Sequence, residues 1–223
     1  MLQSATSFGF GIFVMTLLPW VIDFKQAVIV VLLLAFLLTT RLSFKLREHI
    51  KGKILIPVLI TSFLGRIGGV NILMYFSEEI LKSILGLMLI LISLYFMLYK
   101  NKLKIKATKI KGITAGFFNG ILGGAFNTGG PPLVIYYLNA INEKMSYNST
   151  LQATFAINCI FTIIIHLYYG NINTTILSYT IIGGLGVFAG SYLGLIIFKK
   201  IDEQILKKII YIFLIFMGIM LII

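Results

Sequence analysis

The chain is short of the residue types that soluble chemistry relies on. It has 1 cysteine, Cys159, and 2 histidines, His49 and His166, so one copy cannot assemble a disulfide framework, zinc cluster, haem pair or iron–sulfur site. No cofactor or metal is expected. Charge is scarce as well: 12% of residues are charged, against roughly a quarter in a soluble domain, while 59% are hydrophobic. That composition cannot cover a globule with a water-facing surface, and it predicts an integral membrane protein. Acids are the scarcest charge. All 7 of them, Asp23, Glu48, Glu78, Glu79, Glu143, Asp202 and Glu203, fall in short polar gaps between apolar runs. Their placement argues against an intramembrane aspartyl or metallo-hydrolase and against the buried carboxylate relay common in proton pumps. An intramembrane enzyme would need a nucleophile and base in contact. Only Cys159 and His166 are on offer, about two helical turns apart on one segment. No enzyme is expected.

What is present is apolar length. Runs long enough to cross ~30 Å of hydrocarbon predict helices at 26–40, 54–76, 80–99, 150–169, 175–198 and 205–223. Two further segments, 1–22 and 112–141, are apolar but interrupted. The first contains Gln3-Ser4-Ala5-Thr6-Ser7-Phe8-Gly9-Phe10-Gly11 and the second Gly123-Gly124-Ala125-Phe126-Asn127-Thr128-Gly129-Gly130-Pro131-Pro132. The start lacks the basic region and cleavage site of a signal peptide, so the first segment belongs to the fold. Internal repetition is also detectable. A shift of 119 residues lays Gly11 on Gly130, Lys25 on Lys144 and Thr39 on Asn158. A shift of 125 lays Gly65 on Gly190, Gly69 on Gly194, and Glu79-Ile80-Leu81-Lys82 on Gln204-Ile205-Leu206-Lys207. The chain reads as a first repeat over 1–100, a lysine-rich linker over 101–111 and a second repeat over 112–223, together one transmembrane domain.

Cations decide how the interrupted segments run. There are 19 Lys and Arg, for a net charge of +12. On a soluble chain that excess would suggest nucleic acid; on membrane loops it is a topological label, and no nucleic-acid partner is expected. If each interrupted segment crosses once, the cations divide 11 against 7. If each enters and returns as a re-entrant hairpin, the stretches 41–53, 99–112, 139–149 and 198–208 share one face with 16, leaving Lys25 and Lys82 on the other and Arg66 inside a span. Short-loop Lys and Arg stay cytoplasmic, which selects the hairpins. A hairpin plus three spans is an odd number of crossings, so the second half is inverted relative to the first, as in many secondary transporters. The expected fold is all-α and polytopic, with two inverted repeats, each a glycine-rich hairpin plus three transmembrane helices.

The strings from Gln3 to Gly11 and from Gly116-Phe117-Phe118-Asn119-Gly120 through Gly129-Gly130-Pro131-Pro132 to Leu138 resemble the paired glycine-rich motifs of the TauE/SafE family of sulfite-exporter-like permeases. The resemblance covers essentially the whole chain. It implies a multi-pass transporter, in the plasma membrane of a prokaryote, of a small sulfur-containing anion such as sulfite or an organosulfonate, and a homodimer. The cytoplasmic loops would be 41–53, 99–112, 139–149 and 198–204. Only eight residues precede Gly9, so the first hairpin is expected to have a shortened arm.

The motifs also suggest how an anion would be held. Glycines let backbone approach a ligand closely, and proline suits the first turn of a helix. Pro131-Pro132 therefore predicts a half-helix toward Leu138, with the amides of Thr128, Gly129 and Gly130 free at its positive end. Gly9, Phe10 and Gly11 open the equivalent half-helix, with Thr6 and Ser7 as hydroxyl caps. Asn127 adds polarity at the second tip. Arg66, deep in its span, would attract an anion through its forked donors or serve as a structural arginine. Thr150, Thr154, Asn158, Thr162 and His166 recur every four residues as a polar stripe. Asn158 and its repeat mate Thr39 are expected at the site, Thr150 and Thr162 in interhelical bonding, and His166 at the outer interface. Gly65, Gly69, Gly186, Gly190 and Gly194 are read as helix-contact glycines. The expected function is carriage of a small anion by alternating access, and the rival is a non-transporting membrane subunit or assembly partner. Single Asp→Asn and Glu→Gln replacements at the seven acids are expected to leave transport in reconstituted vesicles within about threefold of the parent, because none lies where a coupling ion would cross. A folded variant that loses transport would refute this.

Overall fold

A computed structural model describes residues 9–98, 107–198 and 203–223, with side chains described outside 188–209. Among these residues it is helical, without a strand: α1 Phe10–Leu17, α2 Phe24–Lys45, α3 Gly52–Tyr75, α4 Glu78–Leu98, α5 Lys109–Phe126, α6 Gly130–Ala140, α7 Lys144–Tyr168, α8 Thr174–Phe198 and α9 Glu203–Ile222. Every span expected from apolar length is a helix. Four of them, α2, α3, α4 and α7, are long and apolar enough to cross a membrane. The second interrupted segment breaks as expected, α5 and α6 being separated at 127–129; in the first, α1 starts after Gly9 and the expected arm before it lies outside the described residues. Thr6 and Ser7, and the linker from 101 to 106, lie outside the described residues.

Close backbone approach holds α3 against α5. A Cβ at Gly65 would overlap the Phe117 carbonyl, one at Gly69 the Ile121 carbonyl and one at Gly120 the Ser62 carbonyl. At Gly124 it would press on the Arg66 carbonyl. In lipid there is no hydrophobic force between helices, so such small-residue seams provide the contact. Gly65 and Gly69 thus do what their spacing predicts. Among the described residues Gly186 shows no such contact, with no atom of theirs within 4 Å of its Cβ position. Gly190 and Gly194 fall in the stretch whose side chains are not described.

The remaining helices surround this pair. α2 is buried through Val28, Ile29, Val30, Val31 and Leu32, as a helix apolar all round should be; it packs on α7, and α9 packs on α4. A main apolar cluster joins Ile12 and Met15 of α1 to Phe24 and Val31 of α2, Leu81, Leu85 and Leu89 of α4, and Leu214 and Leu221 of α9. A second joins Val58 of α3 to Leu133 and Tyr137 of α6 and Leu151 of α7. Ile56, Ile60, Leu64, Leu87 and Leu91 remain exposed on the periphery, as lipid-facing surface requires.

Loop contacts define two ends. At one, Glu143 pairs with His49 at 3.9 Å and Lys51 at 4.0 Å, and the Lys51 amide donates to Thr150 Oγ1 at 3.0 Å. Lys53 and Lys109 line a groove there with Asn139 and Asn142, so the start of α5 and the end of α6 lie at the same end. At the other, Lys25 donates to the Met74 carbonyl at 2.9 Å, Tyr169 to Asn71 at 3.1 Å, and Lys82 meets Glu78 at 2.8 Å. Gly120→Leu is expected to destabilise the protein by about 3 kcal/mol or to prevent folding, by overpacking the α3–α5 seam. Gly186→Leu is expected to stay within about 1 kcal/mol of the parent, because its space is open. Thermal unfolding in detergent, followed by size-exclusion profile, compares the two.

Candidate functional site

The two helix breaks meet. A Cβ on Gly11 would overlap the carbonyl of Asn127, so the start of α1 and the break between α5 and α6 are in backbone contact. Gly9 holds φ 114°, a left-handed conformation that favours glycine, and its carbonyl accepts from Phe13 at 2.9 Å to begin α1. Asn127 holds φ 54° and ends α5: its amide donates to Gly123 and the Thr128 amide to Leu122, both at 3.3 Å. This closure satisfies carbonyls the helix end would otherwise leave free. Asparagine tolerates the left-handed region, and here its side chain adds a tether, Nδ2 donating to the Val28 carbonyl of α2 at 2.5 Å.

Two expectations change as a result. The Thr128 amide is not available to a ligand, because it caps α5; its Oγ1 is buried without a partner and does not line the cavity described below. The polarity of Asn127 serves at least in part to fix the break onto α2. Gly129 and Gly130 keep the predicted place: α6 begins at Gly130 with prolines next in line. Because Pro131 and Pro132 carry no N–H, the positive end of α6 is presented by few amides, chiefly those of Gly129, Gly130 and Leu133.

Between the breaks lies a cavity of about 60 Å³. Gly9, Phe10, Gly11 and Ile12 of the α1 start, Asn127, Gly129 and Gly130 of the second break, and Thr39, Arg66, Asn119, Gly123, Phe155 and Cys159 contribute to its wall. The starts of α1 and α6 both border it, so both positive helix ends reach the same space. Arg66 is 4% exposed. Its Nη1 donates to Thr162 Oγ1, its Nη2 lies against Gly123, and its Nε is buried without a partner. No carboxylate pairs with it among the described residues: Glu143 and Glu78 are paired at the two ends of the bundle. A buried guanidinium without an acid is electrostatically incomplete.

Asn119 holds the frame together. Its Oδ1 accepts from Ser62 of α3 at 2.6 Å and from Asn158 of α7 at 2.9 Å, and its Nδ2 donates to the Gly129 carbonyl at 2.6 Å. One amide ties three helices to the second break. Asn158, expected at the site, acts here through Asn119 and does not line the cavity. Thr39 does line it, its hydroxyl donating to the Ala35 carbonyl at 2.8 Å. Thr150 and Thr162 bond between elements as expected, Thr162 to Arg66 itself. His166 is not at an exposed interface: it is fully buried, with Nδ1 3.1 Å from Asn171 Nδ2 and Nε2 unpartnered. Asn119, Ser62 and Cys159 were missed by reading the sequence. Asn119 had a signal, since it lies on the glycine face formed by Gly112, Gly116, Gly120 and Gly123, where a polar side chain must be interior.

The arrangement defines a polytopic helical membrane protein whose interior holds a cavity bordered by Arg66 and by the starts of two helices. The family profile of sulfite exporter TauE/SafE matches residues 1–221, and the chain belongs to that family. It is accordingly a multi-pass membrane transporter of the sulfite and sulfur-anion kind. No curated protein and no solved structure matches the chain. Asn119→Ala is expected to cost about 2–4 kcal/mol, because Ser62, Asn158 and the Gly129 carbonyl all lose a partner in the interior. Ser62→Ala, which leaves the other two bonds in place, is expected to cost about 1 kcal/mol. Denaturant unfolding in detergent measures the difference.

Proposed function

We propose that the chain moves a sulfite-sized oxyanion across the membrane by alternating access, holding it in the cavity between the α1 start and the Gly129–Gly130 break. The observation that carries this reading is Arg66, a buried guanidinium with an unpartnered Nε, on the wall of a cavity that two helix starts also border. Donors of this kind complement an anion, and the spans offer no acid that would repel one. Gly9, Gly11, Gly129 and Gly130 contribute backbone, Arg66 the charge, and Asn127 and Thr39 polar wall. Asn119 and Asn158 position the break. Thr6, Ser7 and Thr128 complete the set proposed from the sequence, the first two N-terminal to Gly9 and the third beneath the break.

Volume narrows the substrate. A water needs roughly 10–15 Å³ of such space, so about 60 Å³ accommodates around four or five heavy atoms, the size of an inorganic sulfur oxyanion. An organosulfonate with a carbon tail is larger. The two sets of a short helix followed by three long ones, α1–α4 and α6–α9, are taken as inverted repeats moving against each other. Support comes from the pairing of order-equivalents, α2 with α7 and α4 with α9, and from Lys51, Lys53 and Lys109 lying at one end with the loop at 139–143, an end we assign to the cytoplasm. We further assign the protein to a prokaryotic plasma membrane and to a homodimer.

Purified protein in liposomes is expected to carry sulfite, with an excess of sulfoacetate competing weakly. Arg66→Gln is expected to lower flux at least about 30-fold, and Arg66→Lys to restore part of it, since lysine supplies the charge without the fork. Absence of sulfite flux from monodisperse parent protein would overturn the proposal and favour a membrane assembly partner.

A further inference from the structure

The charge balance of the cavity bears on how the carrier returns after releasing its substrate. Arg66 lies ~21 Å along α3 from Gly52 and ~14 Å from Tyr75 at 1.5 Å per residue. Neither end of the bundle is within reach of its side chain, so it does not escape to water by bending outward. Its one side-chain hydrogen bond goes to the neutral hydroxyl of Thr162. The acids among the described residues lie at the helix ends, those at Glu143 and Glu78 already engaged with His49, Lys51 and Lys82. Among the described residues no carboxylate is therefore placed to swing onto the guanidinium when an anion leaves.

An alternating carrier passes through a closed state on both legs of its cycle. With an anion aboard, the guanidinium and the helix starts at the cavity are compensated in that state. With the cavity carrying none, a desolvated cation faces only neutral groups, the condition under which buried charge is most costly. The two legs therefore differ steeply in barrier, and the cheap return is one made with a second anion. We propose that the protein is an obligatory anion exchanger: the closed state is crossed only with an anion on Arg66, so one small anion enters for each that leaves. This rests on the carrier reading above and adds its coupling. The step is charge-balanced, one monoanion against another, and requires no proton, sodium ion or membrane potential.

One group in the wall offers a rival source of negative charge. Cys159 borders the cavity, as Thr39 does, and a thiol that lost its proton on the return leg would compensate Arg66 without a second anion. The test separates these routes. Protein in phosphatidylcholine–phosphatidylglycerol vesicles loaded with radiolabelled sulfite, handled without oxygen, is diluted into buffer with or without unlabelled sulfite. Valinomycin and potassium remove any opposing potential, and the external buffer otherwise holds only a large impermeant anion. Exchange predicts that external sulfite accelerates label efflux at least about 20-fold and that Cys159→Ser keeps this acceleration. Efflux within about twofold in the two baths would overturn the proposal while leaving the carrier reading intact. Proton movement in step with efflux into the sulfite-free bath, lost in Cys159→Ser, would overturn it in favour of the thiol. No label movement in either bath would overturn the carrier reading and the exchange together.

Discussion

The backbone contact between α3 and α5 is the constraint on which the rest of the structure depends. Gly65 and Gly69 on one helix and Gly120 and Gly124 on the other remove the side chains that would hold the two axes apart. Only at that separation does the Arg66 guanidinium lie against Gly123, and only then does Ser62 reach Asn119 across the seam. In hydrocarbon, where apolar side chains gain nothing by leaving lipid, such contact comes from van der Waals fit and interhelical hydrogen bonds. The same glycines that join the helices thus determine where the charge sits.

From that seam the site is built outward by polar groups that satisfy one another. Asn119 connects the seam to α7 and to the Gly129 carbonyl, and Asn127 connects the break to α2. Non-helical backbone inside a membrane persists only where protein or a wet cavity receives its polar groups. Here the break is received by Asn119, by the Val28 carbonyl of α2 and by Gly11 of α1, and it borders the cavity with Arg66. An arginine amid neutral neighbours and helix starts gives the cavity a single sign of potential. That is the electrostatic basis for reading it as an anion site, and for expecting the substrate itself to complete the charge balance.

Much of the helical architecture was legible because lipid imposes simple rules. Apolar length located every long helix, and the glycine and proline clusters located the break at 127–129 and the start of α1 after Gly9. Arg66 stood out because it was the one cation inside a span. What misled was the use made of polar residues near the break. The Thr128 amide looked free for a ligand, whereas it caps α5; Asn127 does border the cavity, and its side chain also holds α2. His166 looked interfacial from its distance along the helix, yet neighbours bury it. Sequence spacing reports which face of its own helix a residue occupies, but not what the adjoining helix presents to it.

The sequence by itself therefore determined that this chain lives in a membrane, where its helices and breaks fall, and that its interior holds one cation and no acid. Those properties follow from composition and from periodicity along a single segment. Tertiary structure alone decided that Gly9–Gly11 meets Asn127, that Arg66 shares a cavity with both breaks, and that Asn119 is the amide tying α3, α7 and Gly129 together. The reason is physical. Each of these contacts joins residues from separate helices, and their partners were chosen by backbone separation at the glycine seam, a distance that no single segment of sequence encodes.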